Sequence, residues 1–118
     1  MRYIIDIDGV ISDKTEWSYQ DSRKRYRKMI MAIKPIPETI KKINELYDKK
    51  KTIILHTSRL WLDYEVTVKW LKKHGVKYHI LVMAKPIGNY YVDDHNLSVE
   101  EFLKLCHDIA DFHPRMGL

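Results

Sequence analysis

The stretch "YIIDIDGVISD", residues 3–13, decides the fold. Tyr3, Ile4, Ile5 and Ile7 are apolar on both faces of an extended chain, as in a strand of a parallel sheet that is covered on both sides. Asp6 and Asp8 interrupt that run. Burying a carboxylate costs several kcal/mol unless a cation or hydrogen-bond donors balance it. Two acids, one residue apart, at the end of a buried strand therefore point to a place where something balances them. Gly9 follows them directly.

Working outward, "RYIIDI" reads as the first strand. Residues 12–34 are polar, basic and without a clean period. "KPIPETIKKINELYDKK" is helical, with Pro37 in the first turn and Ile40, Ile43, Leu46 and Tyr47 on one face. "KTIILHTSR" is a second buried strand, rich in β-branched residues. "DYEVTVKWLKKHG" is a helix with Asp63 as N-cap and Gly75 just past its end. "KYHILVM" is a third strand and "NYYVDD" a short fourth. "LSVEEFLKLCHDIADF" is a last helix, opened by a capping box of Ser98 and Glu101. Strands alternating with helices predict an open, mostly parallel sheet with helices on its faces and right-handed crossovers.

The 118 residues, 45% of them hydrophobic, suit one compact domain over 1–118. No apolar run approaches the ~20 residues that cross a bilayer, so no membrane partner is expected. The N-terminus breaks into acids too early for a signal peptide. A single cysteine excludes an internal disulfide and fits a reducing cytoplasm. Cys106, among Phe102, Leu103 and Ile109, reads as a small buried hydrophobe. The net charge of +5 favours an anionic partner. Part of that charge is local: "SRKRYRK", residues 22–28, carries five basic residues and reads as a solvated, mobile segment.

In an open parallel sheet, ligands bind beyond the carboxyl ends of the strands. Collected there are Asp6 and Asp8, then Thr57, Ser58 and Arg59, then Lys85, then Asp93 and Asp94. Four carboxylates in one crevice repel unless a cation intervenes, and all-oxygen ligation suits a hard cation, Mg2+ before Ca2+. A hydroxyl and a lysine beside such an ion make a phosphate site. His56 reads as a packed strand residue and His95 as a solvated loop residue. His107 and His113 are six apart, which does not place them on one helical face.

These positions, in this order, resemble the haloacid dehalogenase superfamily of phosphohydrolases. "IIDIDGV" is similar to its first motif, "IILHTSR" to its second, Lys85 to its third-motif lysine and "YYVDD" to its fourth. Small members acting in capsular-polysaccharide or sugar-phosphate metabolism offer a narrower likeness. The resemblance implies a Rossmann-like three-layer α/β/α fold with a minimal cap at residues 12–34. It implies Asp6 as nucleophile and Mg2+ ligand, and Asp8 as general acid/base with its carbonyl on the metal. Thr57, Ser58 and Lys85 would bind phosphate, with Asp93 and Asp94 at the metal. Arg59 is placed to grip a second phosphate or a carboxylate of the substrate.

The expected activity is a Mg2+-dependent phosphatase on a small phosphorylated metabolite such as a sugar phosphate. A minimal cap leaves the site open, so a polynucleotide 3′ end is an alternative substrate, and a second copy of the chain in a homo-oligomer is an alternative lid. Trp17, Tyr19 and Tyr26 are candidates to stack on a ring. A third reading is a non-catalytic module that binds nucleic acid or phosphate through the basic stretch.

Overall fold

The computed structural model describes residues 1–14, 22–90 and 92–105. Three strands, β1 (Arg2–Asp6), β2 (Thr52–His56) and β3 (Ile80–Val82), form a parallel sheet in the order β1-β2-β3. Tyr3 stands opposite Ile53, Ile5 opposite Leu55, and Leu55 opposite Leu81. Alternation along a strand puts these five on one face. Ile5, Ile53, Leu55 and Leu81 are buried there and belong to the single core.

Helices α1 (Arg23–Ala32), α2 (Pro37–Asp48), α3 (Tyr64–Lys73) and α4 (Val99–Leu103) supply the other half of the core. Trp70 of α3 is fully buried and donates its indole N–H to the carbonyl of Ile33 at 2.9 Å. Removing such an indole costs about 3–5 kcal/mol. Ile40, Ile43 and Leu46 are the buried stripe of α2, as the sequence spacing predicts. The α3 helix ends in a Schellman arrangement: Gly75, at φ +67°, donates to Lys72 and Val76 donates to Leu71. The capping box of Ser98 and Glu101 on α4 is formed in both directions.

The opposite sheet face is different. Ile4, Ile80 and Val82 are exposed on it, whereas Phe102 of α4 packs near Tyr3 on the core side. Among the described residues the helices thus form one layer, and the second layer of a three-layer α/β/α fold is not among them. The described residues form a small α/β fold with a three-stranded parallel sheet.

Three further expectations change. The basic stretch 22–28 is not irregular: Ser22 caps α1, and Tyr26 and Ile30 are buried in the core. The helix is part of the body, packed on α3, and not a flap; residues 15–21, with Trp17 and Tyr19, lie outside the described residues. "NYYVDD" forms no strand among its described residues; Val92 is 95% exposed, which no buried strand allows. Asp63 makes no side-chain cap for α3. It is buried instead and paired with Arg23 at the start of α1. Cys106, His107 and His113, and the end of the last predicted helix, lie outside the described residues. No described helix is long and apolar enough to cross a membrane.

Candidate active site at the strand ends

Asp6 closes β1, and the chain then turns tightly. The carbonyl of Ile7 accepts backbone N–H bonds from Val10, Ile11 and Ser12, and Gly9 donates to Ser12 at 2.8 Å. That turn holds Gly9 at φ +81°, in the left-handed region that other residues enter at a cost. It fixes Asp8 beside the end of β2.

There, Thr57 is fully buried and donates its hydroxyl to Asp8 Oδ2 at 2.8 Å. Arg59, 2% exposed, donates Nη2 to Asp8 Oδ1 at 2.8 Å. Its Nη1 donates to Thr67 of α3, at 3.1 Å, and its backbone N–H to Thr57 Oγ1, at 3.2 Å. Both oxygens of Asp8 are therefore held by donors from β2's exit loop. The guanidinium that the sequence places as a substrate grip is turned inward and is committed to Asp8. The partner that turns it, Thr67, lies eight residues further on, inside a helix whose pattern gives no hint of that role.

Lys85 Nζ lies 2.9 Å from Asp6 Oδ2. Its backbone is fastened to the same exit loop: Lys85 donates to the carbonyl of Thr57 at 2.9 Å and Ala84 to that of Arg59 at 2.7 Å. Ala84 adopts φ +59° to make the bend, a local strain of the kind found at functional loops. The other oxygen of Asp6 accepts the N–H of Ile7 at 3.1 Å. His56, across from Asp6 in the ladder, is held below the usual histidine pKa, first by burial and then by the Lys85 charge, with Asp6 pulling the other way.

Five of the residues singled out in sequence, Asp6, Asp8, Thr57, Arg59 and Lys85, are thus joined by hydrogen bonds, and Ser58 lies half-buried between Thr57 and Arg59. Asp93 and Asp94 are exposed on the loop after residue 88. Asp93 accepts the N–H of His95 at 2.8 Å, closing a local turn, and Asp94 lies 3.3 Å from the His95 ring. Among the described residues no three His, Cys, Asp or Glu side chains gather to hold a metal ion. The donors have the oxygen chemistry of a Mg2+ site, but their arrangement does not present the four-acid ligand set to an ion.

Comparisons with known proteins give the fold a context. No protein-family model matches the chain, and no curated protein does. A crystal structure of a Vibrio cholerae protein, an MCSG target, is similar at TM-score 0.68 and 21% identity, covering 92% of both chains. A chain of the Pnkp1/Rnl/Hen1 complex is similar at TM-score 0.54 and 19% identity, over 79% of this chain. The present chain spans 31% of that larger one. At these identities the likeness is one of fold.

Proposed function

We propose that the chain is a phosphoric monoester hydrolase of the haloacid dehalogenase type, acting through an aspartyl-phosphate, with Mg2+ as cofactor and a small phosphorylated metabolite such as a sugar phosphate as substrate. The observation that carries this reading is the convergence of Asp6, Asp8, Thr57 and Lys85 at the carboxyl end of a parallel sheet. Phosphoryl transfer asks for positioning and charge neutralisation more than for covalent chemistry by many groups. In this reading an oxygen of Asp6 attacks phosphorus while the bond to the leaving oxygen breaks, and Asp8 delivers a proton to that oxygen. Water then attacks the aspartyl-phosphate, Asp8 takes its proton, and the bond to Asp6 breaks to release phosphate.

Lys85 neutralises Asp6 and the incoming phosphoryl oxygens. Arg59 is a positioning residue: it holds Asp8 from behind, with Thr67 holding Arg59 in turn. Thr57 bonds Asp8 in the described arrangement, so its role toward the phosphoryl group requires its hydroxyl to change partner. Mg2+, when bound, would supply charge neutralisation at Asp6 and Asp8; Asp93 and Asp94 would have to move from their exposed loop to share it.

Hydrolysis of p-nitrophenyl phosphate, with and without Mg2+, tests the reading. Turnover that survives Asp6→Asn overturns the nucleophile. No rise in melting temperature at millimolar Mg2+ counts against the cofactor. A panel of sugar phosphates against 3′-phosphorylated oligonucleotides separates the two substrate classes, and no turnover on either favours a binding module.

A further inference from the structure

Two features outside the strand-end cluster belong to no step of that chemistry. The first is a groove of about 570 Å³ between α1 and α3. Lys24, Arg27 and Lys28 form one lip and Lys69 and Lys73 the other, with Glu65 as the acid among its described lining residues. All five basic side chains are exposed, and none of them is ion-paired with a described residue. Glu65, Lys69 and Lys73 recur every four residues, so they line one side of α3 over about 12 Å. Met31 and Val66 form an apolar floor.

The second is an exposed aromatic pair at the N-terminal end of the same helix. Trp61 is 61% exposed and Tyr64 42%, with ring centroids 5.9 Å apart. They follow the exit loop of β2 directly, and Leu60 and Leu62 beside them are exposed as well. Exposed large apolar residues in a cluster mark a contact surface. The turn that carries Trp61 is fixed to the groove: Asp63 is paired with Arg23, whose guanidinium also stacks 4.9 Å above the Tyr26 ring. The Arg23–Asp63 pair thus ties the turn that carries the platform to the start of α1, whose next residues form one lip of the groove.

We propose that this surface binds a single-stranded nucleic acid, its phosphodiester backbone along the α1–α3 groove and a base on the Trp61–Tyr64 platform. Facing rows of cations suit a linear polyanion. An exposed indole at the end of the rows adds what a polyphosphate or an acidic peptide does not use, a flat partner for a base. The surface stands independently of the phosphoryl chemistry proposed above, because it needs neither Asp6 nor a terminal phosphate.

The test uses the full chain carrying Asp6→Asn and fluorescein-labelled oligo-dT and oligo-rU of about twelve nucleotides without terminal phosphates. Anisotropy is expected to give salt-sensitive binding. Combined Lys24→Ala, Lys69→Ala and Lys73→Ala should weaken it at least tenfold and make the slope of log K against log salt shallower by about 2. Trp61→Ala should weaken it about five- to tenfold, Trp61→Phe should largely restore it, and an abasic oligonucleotide should be indifferent to both. Far-UV circular dichroism checks that the variants fold; all four positions are exposed. Binding unchanged by the triple variant, or loss on Trp61→Ala that an abasic strand shares, overturns the inference. So does tighter binding of an acidic amphipathic peptide than of either oligonucleotide.

Discussion

The chain contains two pairs of aspartates that look alike in sequence, and the fold treats them in opposite ways. Asp6 and Asp8 stand at the end of a ladder strand, around a turn with a left-handed glycine, and are joined by hydrogen bonds to Lys85, Thr57 and Arg59. Asp93 and Asp94 stand on an exposed loop, where Asp93 accepts the N–H of His95 and Asp94 lies beside the His95 ring. The first pair meets side chains 49 to 79 positions away in sequence, whereas Asp93 and Asp94 both meet the neighbouring His95. Distant side chains, two of them cations, meet the first pair and hold it in place.

The largest effect expected from that difference is on turnover. Asp6→Asn should lower hydrolysis of p-nitrophenyl phosphate by at least about 10³-fold, and Asp93→Asn by distinctly less. An equal loss would show that the second loop closes onto the first site during the reaction and would break the comparison. Stability should separate the pairs next. Arg59→Met leaves Asp8 without its buried cation and should cost about 3 kcal/mol in urea unfolding. Asp94→Asn should stay within about 0.5 kcal/mol.

Glycines sharpen the contrast at a smaller scale. Gly9→Ala forces a Cβ into φ +81° and against the Lys14 side chain at 3.2 Å, and should cost about 1–2 kcal/mol. Gly88, in the second region, is not at positive φ and a Cβ there meets the Tyr90 carbonyl at an ordinary 3.4 Å. Gly88→Ala should be neutral or stabilise by up to about 1 kcal/mol. The smallest effect is on pH dependence. The folded chain holds His56 below its unfolded pKa of about 6.5, so the unfolded state takes up the proton first. That contribution is present above about pH 6.5 and is lost as pH falls through the lower folded-state value. Chemical denaturation between about pH 7 and pH 5 should show a flatter slope in His56→Gln.

Much of the scaffold is legible in the sequence because its signals are local. The apolar runs of β1 and β2, the Ile40–Ile43–Leu46 stripe, the glycine after α3 and the box of Ser98 with Glu101 each carry their own physical reason. Helix α1 was hidden by its five basic residues. Its signal was the spacing of Tyr26, Ile30 and Ile33 behind a capping serine, all three buried in the core. "NYYVDD" misleads in the other direction: aromatic and β-branched residues favour a strand only when a neighbouring strand receives them. Asp6 closes β1 and Thr57 follows β2, with Asp8 and Lys85 in the loops beyond β1 and β3, and it is this place after strands that marks these four in the sequence. The inward turn of Arg59 was not legible, since it depends on Thr67 and on how closely α3 approaches the sheet.

The tether of Lys85 has a consequence for how this protein can change. The ammonium reaches Asp6 because two main-chain amides, those of Ala84 and Lys85, bind the carbonyls of Arg59 and Thr57. Carbonyls and amides are present whatever side chain a position bears. Substitutions at Ser58, Leu60, Trp61 or Leu62 can therefore remodel the surface beside the strand ends without moving the lysine. The device that sets the charge at Asp6 is insulated from the residues that would choose what binds, so selection on one need not disturb the other.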